Sequence, residues 1–557
     1  MSPCRLSCAV ALTVLSPFVL AQEPSKALEY YAHVQEFLAA SDEGHWADAE
    51  AAARKALAIS TVDGDVWMGF ADSLMRQRKF EQAIEPYMQA LEKGAFVNKH
   101  AAVASMNIAV CNANLGRNDE ALKWLKEAFD KGHRDIRVFR NSEFAALKGN
   151  AAYDEMAADR DLTGVSRDEG LAYDLWFLDR ELRRIHFDPY AVTPKDALDK
   201  ELASIKAAIP AMSNDEFYIR ARKYVAMVGD GHTALRANQW TGVEARVLPV
   251  RFVKFTDGVF VTGATEEHKG LLEMKLQSIA GVPVDDLWKL CAPLVSKDNT
   301  YDDVAQVPAL FAFASVLKGL KLAQGDSVAC SLIDRQGRVT RIDLPFVTSP
   351  ALLQPYQTGP MRPAYLKNSN LPYWYEYLEA EKTVYLQYNA VRQNPDEAME
   401  AFMARIFTEV GQRPIEKFVV DVRFNGGGNS FMNSAIQRPL MRSADINKRG
   451  TLFIITGRNT FSAAQNFTTD FMRESEAIFV GEPTGSRPNF VGETNPVVLP
   501  YTKMRMTVSD LYWQRSWPMD HRQWIPPDLP TEMSSAHFFA GRDPAMEAIL
   551  AFGKRPE

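Results

Sequence analysis

The sequence lacks the features of several specialised protein classes. It has only 5 cysteines in 557 residues, and it contains no Cys-x-x-Cys or His-Glu-x-x-His pattern. A disulfide-stapled scaffold is therefore excluded, and no metal or cofactor is predicted. The net charge is −7 without a dense block of lysine and arginine, so nucleic-acid binding is not expected. The remaining composition, 46% hydrophobic and 24% charged, is that of a soluble globular protein. This length predicts two to four domains.

Long apolar runs are also scarce, and the clearest one lies at the N-terminus. Arg5 is the only charged residue among the first 21, and the apolar run Ala9–Leu20 follows it. The run is too short to span a bilayer, so no spanning membrane segment is predicted. Val19-Leu20-Ala21 is a small-x-small cleavage site. We therefore expect a signal peptide over residues 1–21, cleaved after Ala21, and an exported protein that is periplasmic or extracellular.

Three cysteines remain beyond the predicted signal peptide. Cys111 lies within an apolar helical pattern and is expected to pack there. Whether Cys291 and Cys330 form a disulfide is left open by the sequence.

Residues 22–160 contain an internal repeat. Ala49, Ala83 and Ala121 occupy equivalent places, 34 and 38 residues apart. Seven residues after each comes a second matched pair: Ala56-Leu57, Ala90-Leu91 and Ala128-Phe129. A period near 34 with small residues where helices cross resembles tetratricopeptide repeats. Such repeats imply stacked helix pairs that dock a protein partner or serve as a scaffold.

The middle of the chain divides into a helical part and a β part. Residues 161–247 are predicted to be mainly helical, and they end near the turn Asp230-Gly231-His232-Thr233. A histidine in such a turn projects freely and titrates near neutrality. Short strands recur over residues 248–350, with a closing hairpin from Val328–Ile333 and Thr340–Leu344 and a helical insertion at Tyr301–Lys321. This region resembles a PDZ-type domain, which binds peptide ends by strand addition. An ordinary small β domain would have the same pattern.

Residues 351–557 alternate strands with helices. The buried strand that begins at Leu452 is followed by turn residues, and then the helical pattern Ala463, Ala464 and Phe467 begins. Ser462 therefore lies where a strand ends and a helix starts. This is the position of a nucleophilic serine, and it is also the position of an ordinary helix N-cap.

Six short motifs occur in an order that resembles the tail-specific (C-terminal-processing) and tricorn-core protease superfamily. They are Asp230-Gly231-His232-Thr233, Asp421-x-Arg423-x-Asn425-Gly426-Gly427-Gly428, Ser462-Ala463-Ala464, Val480-Gly481-Glu482-Pro483-Thr484-Gly485, Ile525-Pro526-Pro527-Asp528 and Gly541-Arg542-Asp543-Pro544-Ala545. The resemblance covers roughly residues 167–550. It implies a multi-domain α+β protein in which N-terminal helical repeats and a small PDZ-like β domain precede a crotonase-like α/β spiral core. The implied activity is that of a serine-type endopeptidase acting on protein or peptide substrates.

The resemblance also implies roles for individual residues. The tail-specific branch has a basic lysine about 25 residues after the serine, but this position is Arg487 here. Arginine stays protonated and cannot act as the base. The tricorn-like branch instead implies Ser462 as nucleophile, His232 as base and Asp520 as the carboxylate that orients it. Glu493 is the second choice for the carboxylate.

Several alternatives stay open. His232 is structural if the lysine-type pattern applies, His521 is an alternative base, and Arg487 is a candidate for binding a substrate carboxylate. Gly426, Gly427 and Ala463 are the candidate oxyanion-hole residues, because backbone N–H groups there can approach a carbonyl closely. At the level of the whole protein, the alternatives are a catalytically silent binding protein on the same scaffold and a repeat-based assembly adaptor.

Overall fold

A computed structural model of the 557-residue chain describes residues 25–94, 100–133, 135–237, 240–348, 354–355 and 362–553. The predicted signal peptide, with Cys4 and Cys8, lies outside the described residues. The chain forms two compact units, Met1–Arg160 and Asp161–Glu557. No helix among the described residues is both long and apolar enough to cross a membrane.

The first unit consists of paired helices, as the internal repeat predicts. The second helix of each pair carries its matched alanine at the fourth position, and Ala49, Ala83 and Ala121 have no exposed surface. A larger side chain there would separate the packed helices. The helices are α1 (Lys26–Asp42), α2 (Trp46–Ile59), α3 (Gly64–Arg76), α4 (Phe80–Lys93), α5 (His100–Asn114), α6 (Asn118–Asp130) and α7 (Ala151–Ala157).

The second unit begins with three helices and a seven-stranded sheet. The strand order along the sheet is β2-β3-β4-β6-β7, while β5 pairs with β4 and β8 pairs with β3. The predicted closing hairpin is confirmed as the antiparallel pair β6 and β7, and the predicted helical insertion is present as α12 and α13. The elements are α8 (Arg167–Ile185), α9 (Lys195–Ala208), α10 (Asn214–Ala226), β1 (Ala234–Arg236), β2 (Val250–Phe255), β3 (Gly258–Ala264), β4 (Lys275–Ile279), β5 (Val282–Pro283), α11 (Val284–Cys291), α12 (Thr300–Leu310), α13 (Ala314–Gly319), β6 (Ser327–Ile333), β7 (Val339–Pro345) and β8 (Gln354–Pro355).

The remainder of the second unit is built on a six-stranded sheet with the order β16-β13-β12-β11-β10-β9. All neighbouring strands are parallel except β9, which is antiparallel to β10. A separate antiparallel sheet has the order β1-β15-β14. The elements are β9 (Tyr373–Leu378), β10 (Thr383–Tyr388), α14 (Met399–Val410), β11 (Lys417–Asp421), α15 (Ser434–Arg442), β12 (Leu452–Thr456), α16 (Ala463–Glu474), β13 (Ile478–Gly481), β14 (Asn489–Val498), β15 (Arg505–Gln514), β16 (Leu529–Pro530), α17 (Ser535–Phe539) and α18 (Pro544–Ala551).

Both faces of the six-stranded sheet are covered by helices. Alternate residues of each strand point to opposite faces, so that Ile454 packs with α14, α15 and α16 while Phe453 and Ile455 pack with α18. Strands buried on both faces read as continuous apolar runs, as Leu452–Ile455 does. In open parallel sheets, ligands bind beyond the carboxyl ends of the strands. The end of β12, which leads to Ser462, lies at that edge.

The cysteines of the described chain are not paired. Cys111, Cys291 and Cys330 are all buried free thiols. Burial raises the pKa of each thiol to about 12. Cys291 and Cys330 therefore do not form a disulfide. The three buried thiols serve as packing residues.

Candidate active site

Ser462 begins α16 in a strained backbone conformation. Its φ is 57° and its ψ is −124°, and its side chain makes no capping hydrogen bond to the described helix. A non-glycine residue in this region costs about 1–3 kcal/mol, and such outliers cluster at functional sites. A sharp strand-to-helix turn of this kind presents a serine hydroxyl outward. The geometry therefore differs from that of an ordinary N-cap, whose side chain would bind the helix N–H groups.

The turn that carries Ser462 is fixed by hydrogen bonds to the end of β11. Thr460 donates from Oγ1 to the Val422 carbonyl at 2.9 Å. The Phe461 N–H donates to the carbonyl of Asn425 at 3.1 Å. Asn425 is fully buried and uses its side chain as well, donating to the Tyr388 carbonyl at 2.9 Å. The serine is thus tied to two neighbouring strands.

The glycine run lies directly against Ser462. Gly427 has a φ of 104°, and a Cβ built on it would lie 2.6 Å from Ser462 Cβ and 2.9 Å from the Ala463 nitrogen. Its own N–H donates to Asn425 Oδ1 at 2.9 Å. Ala463 is the first residue of α16, so its N–H has no acceptor within the helix. Gly426 is exposed, and a Cβ there would meet nothing within 4 Å. Of the three oxyanion-hole candidates, Gly427 has its N–H engaged within the loop.

The structure brings His232 next to the residue that precedes Ser462. The imidazole ring stacks on Phe461, with 4.3 Å between ring centroids and 28° between planes. Its other face stacks on Phe490 of β14 at 5.4 Å and 5°. Both ring nitrogens are buried, and neither has a hydrogen-bond partner among the residues that the structure describes. A buried imidazole without partners is unusual and marks a site where another group is expected to bind.

The turn around His232 is held by the carboxylate of Asp230. Asp230 Oδ1 accepts the N–H of His232 at 2.7 Å and the N–H of Thr233 at 2.8 Å. Asp230 Oδ2 lies 2.7 Å from Nε2 of buried His186. These hydrogen bonds and the neighbouring His186 keep the pKa of Asp230 below its usual range although burial opposes this. Asp230 is therefore a fixed anion beneath the turn.

The predicted carboxylates lie elsewhere. The carboxylate of Asp520 accepts Ser516 Oγ at 2.6 Å and Arg522 Nη2 at 2.7 Å, which holds its pKa far below the usual range. No hydrogen bond joins it to His232 in the described structure. Glu493 and His521 are both exposed.

Arg487, at the position of the tail-specific lysine, has a structural contact. Its Nε donates to the backbone carbonyl of Asp298 at 2.8 Å. The nearby carboxylate of Glu482 is bonded to Arg458, whose Nε lies 2.7 Å from Glu482 Oε2. The guanidinium therefore joins two segments of the fold.

Two of the sequence motifs meet in a buried ion cluster. Arg423 bonds Asp421 at 2.8 Å and Asp543 at 2.9 Å, and Tyr385 donates to Asp421 at 2.6 Å. This cluster ties the end of β11 to the start of α18. Asp421, Arg423 and Asp543 belong to the sequence motifs. Their role in the structure is to support the strand edge that carries the glycine run.

Asp298 is a site residue that the sequence does not reveal. It is buried, and its Oδ1 accepts the N–H of Gly231 at 2.8 Å. Its partners in the chain are 67 and 188 positions away, and no local pattern sets it apart. Among the described residues, no group of three or more His, Cys, Asp or Glu side chains is arranged to hold a metal ion.

No protein-family model and no curated protein sequence matches the chain. Among solved structures, mature CPAF complexed with lactacystin matches with a TM-score of 0.51 at 13% identity, covering 69% of this chain and 97% of that chain. Mature CPAF alone matches with a TM-score of 0.50 at 12% identity, covering 69% and 96%. The photosystem II D1 C-terminal processing protease matches with a TM-score of 0.34 at 13% identity, covering 69% of this chain and 97% of that chain. The resemblance inferred from the motifs is confirmed at the level of the fold, since the chain shares the fold of mature CPAF.

Proposed function

We propose that this chain is a serine-type endopeptidase in which Ser462 is the nucleophile and His232 is its base. The observation that carries the proposal is the contact between the two segments. The ring of Phe461, next to Ser462 in the chain, stacks on a His232 ring whose nitrogens are buried and unpartnered among the described residues. A serine hydroxyl needs an adjacent base to become a nucleophile at neutral pH.

The reaction uses residues of this chain at each step. His232 takes the proton of Ser462 as Oγ attacks the peptide carbonyl, and later gives it to the leaving amine. The N–H groups of Ala463 and Gly426 donate to the developing oxyanion, while Gly427 allows the loop to lie against the serine. Loss of one such donor typically costs about 3–4 kcal/mol of transition-state stabilisation. Water then releases the acyl group with His232 again acting as the base.

The substrate is a protein or peptide bound beyond the strand ends. A cavity of about 570 Å³ lies at these strand ends; Phe424, Gly457 and Glu482 are among its lining residues, whereas Ser462 and His232 are not. Strand β2 also lines it, at the edge of the seven-stranded sheet. We assign this sheet as the PDZ-like module and the six-stranded sheet as the crotonase-like core. An extended peptide added to the β2 edge would be held by main-chain hydrogen bonds.

The remaining assignments concern the rest of the chain. The signal peptide implies export to the periplasm or outside the cell, and the helical repeats are a docking surface for a protein partner. The family pattern names Asp520 as the carboxylate for His232, but here Asp520 is bonded to Ser516 and Arg522. It must first leave Ser516 and Arg522 to reach the imidazole, so no step above depends on it.

Hydrolysis of an unstructured protein tests the proposal. Wild-type protein, Ser462→Ala and a surface control, Ser142→Ala, are incubated with denatured casein, and new amino termini are counted by mass spectrometry. We expect cleavage by the wild type and the control and none by Ser462→Ala. Equal cleavage by Ser462→Ala would assign the activity to a contaminant. The absence of cleavage by the wild type would favour a silent binding protein.

A further inference from the structure

The turn that carries His232 is bound by a second carboxylate besides Asp230. Asp298 lies two residues before α12, and 4% of its surface is exposed. Its Oδ1 accepts the N–H of Gly231 at 2.8 Å. Asp230 accepts the next two N–H groups, those of His232 and Thr233. Three successive backbone N–H groups around the imidazole therefore donate to carboxylate oxygens.

Asp298 also connects this turn to the segment where the tail-specific lysine would lie. Its Oδ2 accepts the hydroxyl of Ser486, and its backbone carbonyl accepts Arg487 Nε at 2.8 Å. The neighbouring Asn299 donates to the Thr484 carbonyl at 3.1 Å. Both oxygens of the Asp298 carboxylate are thus fixed by donors. The position of Asp298 relative to His232 is therefore set by the packing of three segments: the turn at Gly231, the segment before α12, and the segment that contains Ser486 and Arg487.

Asp298 lies close enough to His232 for the two side chains to interact electrostatically. Burial raises the pKa of Asp298, and the positive charge of protonated His232 opposes that rise. This interaction is reciprocal, so an ionised Asp298 stabilises the imidazolium that forms during catalysis. Asp230, on the same turn, also interacts with the charge of His232, and His186 pairs with Asp230; the aromatic rings of Phe461 and Phe490 stack on the imidazole.

A second carboxyl group, that of Asp302, lies beside Asp298. Asp302 Oδ2 accepts the N–H of Asp298 at 2.9 Å. Burial, followed by the charge of Asp298, raises the pKa of Asp302 to about 8. Asp302 is therefore neutral at pH 7. Asp302 is thus held in its neutral form beside Asp298, whose two carboxylate oxygens both accept hydrogen bonds, from the Gly231 N–H and the Ser486 hydroxyl.

From this geometry we infer that Asp298 is the positioning carboxylate of His232, fixing its turn and stabilising its protonated form. The inference rests on the proposed function, since it assigns to Asp298 the orienting role that the family pattern gives to Asp520. Asp520 then serves to hold its own loop through Ser516 and Arg522. Asp298 touches neither substrate nor the reacting atoms and acts only through His232.

Titration of His232 tests the inference without requiring activity. The full chain with Ser462→Ala is labelled with histidine carrying ¹³C at Cε1, and the His232 signal is assigned by its loss in His232→Gln. Asp298→Asn keeps the shape and the acceptor for Gly231 but removes the charge. We expect it to lower the pKa of His232 by about one unit, as loss of a nearby opposite charge does. Asp520→Asn is expected to leave that pKa unchanged.

The activity measurement is made separately with Ser462 intact. In Asp298→Asn the acidic limb of the kcat/KM profile should move to lower pH by the same amount, with the maximum reduced about ten- to a hundredfold. An unchanged His232 pKa in folded Asp298→Asn would overturn the inference even if the wild type hydrolyses peptides. A lowered pKa in a protein that hydrolyses nothing would support the electrostatic link and refute the proposed function.

Failure of Asp298→Asn to fold would still leave a decisive comparison. Circular dichroism identifies that case, and the titration of Asp520→Asn then decides. A His232 pKa equal to that of the parent supports Asp298 as the source of the charge. A fall of about one unit in Asp520→Asn would assign the orienting role to Asp520 and overturn the inference.

Discussion

The ring of Phe461 lies on the ring of His232, with 4.3 Å between their centroids. Since Phe461 directly precedes Ser462, this contact joins two segments that are 230 positions apart in the sequence. It places a titratable ring beside a strained serine at the edge of a parallel sheet. Phe490 covers the opposite face, so the ring can turn only if one of the two aromatic side chains moves.

The first prediction concerns this stacking. Phe461→Leu keeps an apolar side chain but removes the aromatic contact, which is worth about 0.5–1.5 kcal/mol. We expect kcat/KM to fall about two- to tenfold because His232 is less well positioned. Phe70→Leu removes an aromatic pair with Trp67 in the helical repeats and is the matched control. Equal kcat/KM values in both variants would show that the stacking does not position the base.

The second prediction concerns the glycine run. In Gly427→Ala the new Cβ would lie 2.6 Å from Ser462 Cβ, and the residue would keep a φ of 104°. We expect a loss of about 1–3 kcal/mol in unfolding free energy, together with a loss of activity. Gly426→Ala meets nothing within 4 Å and should unfold at the wild-type temperature. Thermal unfolding of the two variants checks this, and equal melting temperatures would contradict the close approach of the loop to Ser462.

The third prediction uses the backbone strain at Ser462. Ser462→Ala keeps a Cβ at a φ of 57°, whereas Ser462→Gly removes it. Glycine adopts positive φ without steric cost, so Ser462→Gly should be the more stable variant by about 1 kcal/mol. An ordinary N-cap also favours glycine over alanine, but there Ser462→Gly would be less stable than the wild type by a few tenths of a kcal/mol, whereas relief of the strain should make it more stable than the wild type. Urea unfolding measures the difference, and a Ser462→Gly variant no more stable than the wild type would exclude the strain.

The fourth prediction concerns the pH dependence of stability. Because the pKa of Asp302 is raised to about 8, the folded chain keeps a proton that the unfolded chain loses above about pH 4. This contribution to stability is complete at low pH and is lost as the pH rises to about 8, by at most about 1.4 kcal/mol per unit. Asp302→Asn places an uncharged amide where the neutral acid lies. The free energy of unfolding of this variant should therefore not fall with rising pH in this way.

Unfolding of wild type and Asp302→Asn in urea at pH 5 and pH 8 measures the effect. We expect Asp302→Asn to gain stability relative to the wild type between the two values. Asp326→Asn, which removes an 84% exposed carboxylate, controls for the general effect of charge. A difference between wild type and Asp302→Asn that does not change with pH would show that Asp302 ionises normally.

Much of the fold follows from local patterns in the sequence. The alternation of apolar strands and amphipathic helices predicts the α/β part, and the matched alanines predict the helix pairs of the first unit. The junction at Ser462 is predictable because the periodicity changes there from strand to helix. The backbone angles that distinguish a strained serine from a simple cap depend on the packing of Gly427 and Asn425, which no local pattern encodes.

The orienting carboxylate could not be predicted in the same way. Spacing points to Asp520, but Arg522 lies two residues away and forms charge-assisted hydrogen bonds with it. Asp298 reaches Gly231 and Ser486 only because the segment before α12 and the segment after β13 meet in the folded chain. Long-range contacts of this kind depend on the tertiary structure.

Covalent labelling of Ser462 tests the central claim most directly. Wild-type protein, Ser462→Ala and His232→Gln are treated with a fluorophosphonate, and the rate and site of modification are followed by mass spectrometry. We predict a single adduct on Ser462 in the wild type, none in Ser462→Ala, and labelling of His232→Gln at least about a thousandfold slower. A wild type that forms no adduct, or a His232→Gln variant that is labelled at the wild-type rate, would contradict the assignment of Ser462 and His232 as nucleophile and base.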